Sequence, residues 1–231
     1  MKQSIGRSIL AVVLIVASQL LVSSVSFAGV NVGSPDSGNC YPFSCGPFDG
    51  VTRYQEIYSA SAFSGDTTFN SISFFHYAPL GNGSMDSATY TVNFSTTSKA
   101  IMGLDANPLN NIGPDNSLFG TFTLGGVMPD ELTLSGSTFD YDPSEGNLLM
   151  DIVISNITST AGHTSYFEAD YTGSVVSRYY TSTTYGTYPN LIGALVTEFD
   201  YTPSAVPEPS TFLLLGAGLS GLAFIRRKSK K

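Results

Sequence analysis

Residues 88–95 read Ala-Thr-Tyr-Thr-Val-Asn-Phe-Ser, and this strict alternation decides the fold class. Successive side chains of a strand point to opposite faces. Ala88, Tyr90, Val92 and Phe94 therefore share a face suited to a core, while Thr89, Thr91, Asn93 and Ser95 share a face suited to water. Residues 195–201 repeat the pattern, with Leu195, Thr197, Phe199 and Tyr201 set against Val196, Glu198 and Asp200. Residues 147–155, NLLMDIVIS, are almost continuously apolar, which predicts a central strand buried on both faces. Weaker strands are expected at 51–58, 69–77, 119–124, 131–134 and 174–180. Gly81-Asn82-Gly83, Asn107-Pro108, Gly113-Pro114-Asp115, Gly125-Gly126, Asp142-Pro143 and Glu145-Gly146-Asn147 punctuate them as turns. Many short strands with Phe and Tyr on their faces predict an all-β fold, a single β-sandwich of jelly-roll-like type. Helical spacing is absent from this middle, and no repeat points to a solenoid.

The two ends differ from this body. Lys2 and Arg7 precede an apolar stretch from Ile9 to Val22, and Ser26-Phe27-Ala28 supplies the small residues that a signal peptidase reads. Residues 1–28 are expected to be an export signal cut between Ala28 and Gly29, with the Sec export machinery and signal peptidase as partners. At the other end, residues 206–231 read VPEPSTFLLLGAGLSGLAFIRRKSKK. The apolar run 211–225 forms a helix of roughly 22 Å at about 1.5 Å per residue, short against a hydrocarbon core of about 30 Å. Arg226, Arg227, Lys228, Lys230 and Lys231 extend its reach by snorkelling, and hold this end in the cytoplasm. Pro207 and Pro209 fix an extended, stiff peptide just outside the membrane. Gly216-Ala217-Gly218-Leu219-Ser220-Gly221 matches the letters of a dinucleotide fingerprint but has no preceding strand and no acid beyond it. Its small residues suit close helix packing in a membrane.

Val206-Pro207-Glu208-Pro209, the Leu-rich helix after it and the closing Arg226-Arg227-Lys228 together resemble the PEP-CTERM protein-sorting signal of Gram-negative bacteria that make exopolysaccharide. The resemblance implies recognition by an exosortase, a membrane-embedded cysteine peptidase. It also implies an inner-membrane-anchored precursor that passes to the cell surface or extracellular matrix, with extracellular polysaccharide as a further partner. Three phrases in the middle, RYQEIYSASAF at 53–63, IGPDNSLFGTF at 112–122 and YDPSEGNLLMDIVIS at 141–155, look like a module recurring in uncharacterised PEP-CTERM proteins. That likeness implies a β-rich ectodomain and brings no catalytic residues with it. The chain thus divides into the signal (1–28), an N-terminal arm (29–50), the sandwich (51–201), a linker with the PEP motif (202–209) and a transmembrane helix with basic tail (210–231).

Three bases, Arg53, Lys99 and Arg178, and 17 of the 18 acids fall between the two ends. A net charge of −14 argues against nucleic acid or an anionic membrane surface as partner of this domain. Cys40 and Cys45 are the only cysteines. In an exported protein they are read first as a local disulfide pinning the arm, with free thiols or intermolecular pairing as the other readings. A zinc site needs two further ligands, and the only histidines are His76 and His163. No nucleophile elbow, HExxH, phosphate loop or full EF-hand occurs, so the domain is expected to be non-enzymatic and without a cofactor. The carboxylate pairs Asp140/Asp142 and Glu168/Asp170 are the material for glycoside hydrolysis, which requires a cleft between the partners. Asp140, Asp142 and Glu145 around Pro143 form a calcium candidate. The stretch 105–117 reads as a mobile loop or an oxygen-rich cation site. Tyr179, Tyr180, Tyr185 and Tyr188 among Thr and Ser suit a sugar- or protein-binding surface as well as ordinary packing.

Overall fold

The computed structural model describes residues 28–80 and 83–203. In chain order the strands are β1 (Ala28–Val32), β2 (Ser37–Asn39), β3 (Val51–Tyr58), β4 (Thr67–Phe75), β5 (Ser84–Thr97) and β6 (Ser117–Val127). They continue with β7 (Glu131–Tyr141), β8 (Asn147–Ser159), β9 (Phe167–Asp170), β10 (Val176–Ser182), β11 (Gly186–Leu191), β12 (Ala194–Leu195) and β13 (Thr197–Pro203). The described residues are all-β, with three short 3-10 turns at Ala60–Ala62, Ala78–Leu80 and Pro108–Asn111. One sheet has the order β1-β13-β4-β7, a second β11-β10-β3-β8-β5-β6, and a small third β12-β9-β2.

The alternating stretch lies in β5, between β8 and β6. Ala88, Tyr90, Val92 and Phe94 are fully buried. The Phe94 ring meets Phe69, Phe139 and Phe199 of the four-stranded sheet at centroid distances of 6.0, 5.9 and 6.3 Å. The two large sheets thus face each other across one aromatic core in a sandwich-like arrangement. β8 lies between β3 and β5, and its run Leu148–Ile152 is buried on both faces, Asp151 included through its bonds to Arg53 and Gln55, whereas Val153 and Ser155 of the expected stretch are exposed.

The stretch 195–201 is not one strand. β12 pairs with β9, whereas β13 pairs with β1 and β4, and the chain changes sheet at Val196. Two amide hydrogens turn away at this corner: Leu195 N–H donates to Glu56 Oε2 (3.0 Å) and Val196 N–H to Glu168 O (2.9 Å). The alternation breaks down at the corner, where Leu195, Val196 and Thr197 are all buried, and returns in β13 with Phe199 buried between the half-buried Glu198 and Asp200. β1, β2, β9 and β11 lack a strong pattern of their own. The disulfide-pinned arm reaches the body through two of them, β1 against β13 and β2 against β9.

Residues 105–117 hold a 3-10 turn fastened by amides. Asn111 is fully buried. It donates to Gln55 Oε1 (2.8 Å) and accepts from Asp105 N–H (2.7 Å), while Asp115 caps Thr96 N–H. Gln55 continues to Asp151, which holds Arg53 through two bonds of 2.7 and 2.6 Å.

Antiparallel pairing sets Ala28 opposite Tyr201, so the chain enters and leaves the described fold side by side. The signal helix, the sorting residues Val206–Pro209 and the hydrophobic helix with Arg226, Arg227 and Lys228 lie outside the described residues. Among the described residues no helix is long and apolar enough to cross a membrane.

Candidate functional site

The arm between β2 and β3 is a succession of tight turns. Ser44 and Cys45 N–H both donate to Cys40 O, Asp49 N–H to Cys45 O and Val51 N–H to Gly46 O. The Cys40–Cys45 disulfide closes the first turn, with Cα atoms 5.3 Å apart. Phe43, between the cysteines, is fully buried and packs on Phe74, Tyr90 and Phe167, so the arm is anchored in the aromatic core.

Asp49 is the polar hub of this region. Its side chain is 4% exposed and serves two partners. Tyr41 OH donates to Oδ2 at 2.5 Å, and His163 Nε2 lies 3.1 Å from Oδ2 and 3.2 Å from Oδ1. Burial, reinforced by the Asp49 carboxylate, pushes the Tyr41 phenol well up, so it stays a protonated donor. The other nitrogen of His163, Nδ1, lies 3.7 Å from Cys40 Sγ. Gly162 supplies the left-handed φ of +67° that turns the chain into His163. Phe48 stands edge-on to the imidazole at 5.7 Å.

From Tyr41 a row of rings crosses to the sheet edge. Tyr41 stacks on Tyr180 at 4.8 Å and 10°, and Tyr180 meets its cross-strand partner Tyr188 at 5.1 Å and 33°. The Arg178 guanidinium lies 5.3 Å from the Tyr41 centroid and 5.8 Å from that of Tyr180. Its Nε–H donates to Ile192 O (3.0 Å). Tyr188 (39% exposed) and Tyr185 (55%) bring the aromatic surface to solvent on the β10–β11 hairpin. Tyr179 points the other way and is buried with Ile57, Leu104 and Leu149. Of the four tyrosines weighed as a surface, three remain, and Tyr41, distant in sequence, joins them.

The carboxylates weighed as catalytic or metal-binding are placed differently. Asp170 is buried and accepts from Ser34 N–H (3.0 Å), Thr172 N–H (2.6 Å) and Thr172 OH (2.6 Å), so it fastens two turns. Asp140 accepts from Thr68 OH (2.6 Å) on the outer face. Asp142 caps Ser144 N–H (2.8 Å), and this turn holds its carboxyl below the usual range. Asp140, Asp142 and Glu145 share the rim of one open cleft with Asp115. Among the described residues, one group of three or more His, Cys, Asp or Glu has all its ligand atoms within 4.8 Å of one another: Cys40, Cys45 and His163. His76 sits in a bridge to Phe167 and donates its N–H to Asp130 O.

Glu56 is a buried carboxyl outside these groups. It accepts from Tyr54 OH (2.5 Å) and Leu195 N–H (3.0 Å) in a fully enclosed site. Burial pushes it up to about 7 against the pull of those donors.

Beyond the sandwich, the family model of the PEP-CTERM protein-sorting motif matches residues 205–228. The chain carries a PEP-CTERM sorting motif. No curated protein matches the chain. The PEP-CTERM motif implies processing by an exosortase and an exported, membrane-anchored precursor destined for the surface. β13 ends at Pro203, two residues before the matched segment begins.

Proposed function

We propose that the protein is a non-enzymatic surface protein, sorted through its PEP-CTERM motif and working in or on an exopolysaccharide matrix, with the sandwich as its exposed body. The observation that carries this reading is the sorting motif directly after a finished all-β domain. Many of its acids, among them Asp49, Asp115, Asp142, Asp151 and Asp170, are engaged in caps, ion pairs and buried bonds, which favours structure over catalysis. Signal peptidase cleavage between Ala28 and Gly29 leaves Gly29–Val32 of β1 paired with β13 beside the exit toward the membrane. In cells with a functional exosortase the sandwich is expected in the extracellular fraction. In cells lacking it, the protein remains with the inner membrane. An inner-membrane location in both strains overturns the sorting reading.

The aromatic row supports a second reading, a carbohydrate- or partner-binding module. Tyr188 and Tyr185 offer flat, partly solvated rings on a braced hairpin, a surface on which a neutral sugar stacks well. The net charge of −14 disfavours an acidic polymer there. Retention on the producer's own polysaccharide that survives salt, yields to competing sugar and falls in Tyr188→Ala supports it. Hydrolysis of that polysaccharide, lost in Glu168→Ala or Asp140→Ala, points to the third reading, a glycoside hydrolase.

A further inference from the structure

We propose that reduction of the Cys40–Cys45 disulfide opens a Cys2His site for a soft divalent cation such as zinc, with Cys40, Cys45 and His163 as ligands and Asp49 as the positioning residue. All three ligand atoms already lie within 4.8 Å of one another, although His163 comes from a turn 123 residues further along the chain.

The imidazole is oriented for this task. Asp49 accepts on both oxygens from Nε2, which places the proton there and leaves the Nδ1 lone pair toward Cys40 Sγ at 3.7 Å. A disulfide sulfur carries no proton to donate, so that lone pair makes no strong bond in the oxidised form. A metal-ligating histidine whose other nitrogen donates to a carboxylate is the usual arrangement around zinc. Tyr41 OH donates to Oδ2 of the same carboxylate and fixes it in place.

The turn does not depend on the disulfide alone. Ser44 and Cys45 N–H converge on Cys40 O, Asp49 N–H reaches Cys45 O, and Phe43 is locked in the core. After reduction both sulfurs therefore stay on the side facing His163. Side-chain rotation from Cα atoms 5.3 Å apart lets them separate to two zinc bonds of about 2.3 Å each. His163 is 47% exposed, so water reaches the fourth position.

A dithiol gives two electrons and two protons; the Cys40–Cys45 bond breaks to two thiols and the reductant closes its own disulfide. Zinc then displaces one proton from each thiol to solvent and takes the Nδ1 lone pair as its third protein bond.

The test uses the full-length chain in detergent, reduced with a water-soluble phosphine, which becomes its oxide by taking oxygen from water. Cobalt(II) is then titrated in as an optical probe. The reduced chain is expected to bind one equivalent, with sulfur-to-cobalt charge-transfer and tetrahedral d–d bands, and the disulfide form none. Asp49→Asn should weaken binding by about 10- to 100-fold while keeping the charge-transfer band. His163→Ala, a change at a half-exposed side chain, should weaken it at least as much and alter the d–d envelope. A reduced chain without the charge-transfer band, or His163→Ala binding cobalt as tightly as the parent, overturns the proposal.

Discussion

The pinned arm and the acidic rim around Asp142 are both polar regions built on turns, yet they are organised in opposite ways. At the arm, one buried carboxylate, Asp49, gathers a phenol from the same arm and an imidazole from 114 residues further along the chain. At the rim, Asp140, Asp142 and Asp115 each satisfy a neighbouring N–H or OH while facing water. Acid density alone therefore does not make a site. Convergence under burial does, because a carboxylate removed from water must collect its own donors.

The sharpest contrast is energetic. Glu56, enclosed between β3 and the β12–β13 corner, has its folded-state value raised to about 7 from an ordinary 4.5. The unfolded chain releases this proton first as pH rises, so the contribution is full below about pH 4.5 and is lost as pH climbs to about 7. The loss is on the order of 3 kcal/mol at about 1.4 kcal/mol per pH unit. Chemical denaturation across this range should show the decline, and Glu56→Gln should flatten it.

Asp49→Ala leaves the Tyr41 phenol and His163 without their acceptor and should cost about 2–3 kcal/mol, read as a lowered denaturation midpoint at unchanged slope. Replacing both cysteines by serine should cost about 2 kcal/mol, since so short a loop removes little unfolded-state entropy. Asp142→Ala at the rim removes one solvent-exposed turn cap and should lower the denaturation midpoint far less than Asp49→Ala. If Asp142→Ala proves as damaging as Asp49→Ala, the distinction between hub and cap fails. Smallest of all should be the effect of calcium: melting temperatures with calcium and with EDTA should coincide, and a clear rise with calcium restores the Asp140–Asp142–Glu145 site.

Much of the sandwich was legible because burial imprints a period on the chain. Residues 88–94 face the core on one side and 148–152 on both, as their patterns say, although Ser95 is buried and Val153 and Ser155 turn outward. β1 and β11 are edge strands whose place is set by partners far away in sequence, and short Gly-, Pro- and Asn-containing segments carry little period of their own. The site was harder to read for the same reason. The cysteine pair was visible from its spacing, and Tyr180 and Tyr188 from their composition. Nothing local joins Tyr41 to Tyr180 or Asp49 to His163. Those contacts follow from β3 pairing with β10 and from the 160–164 turn folding back over the arm.

Intact mass of the mature protein, taken from cells with and without a functional exosortase, decides whether the chain is sorted through its C-terminal motif. The predicted product starts at Gly29 and ends near Pro207 to Pro209 in the parent, and keeps its tail in the mutant. A product retaining residues 210–231 in both strains contradicts that sorting.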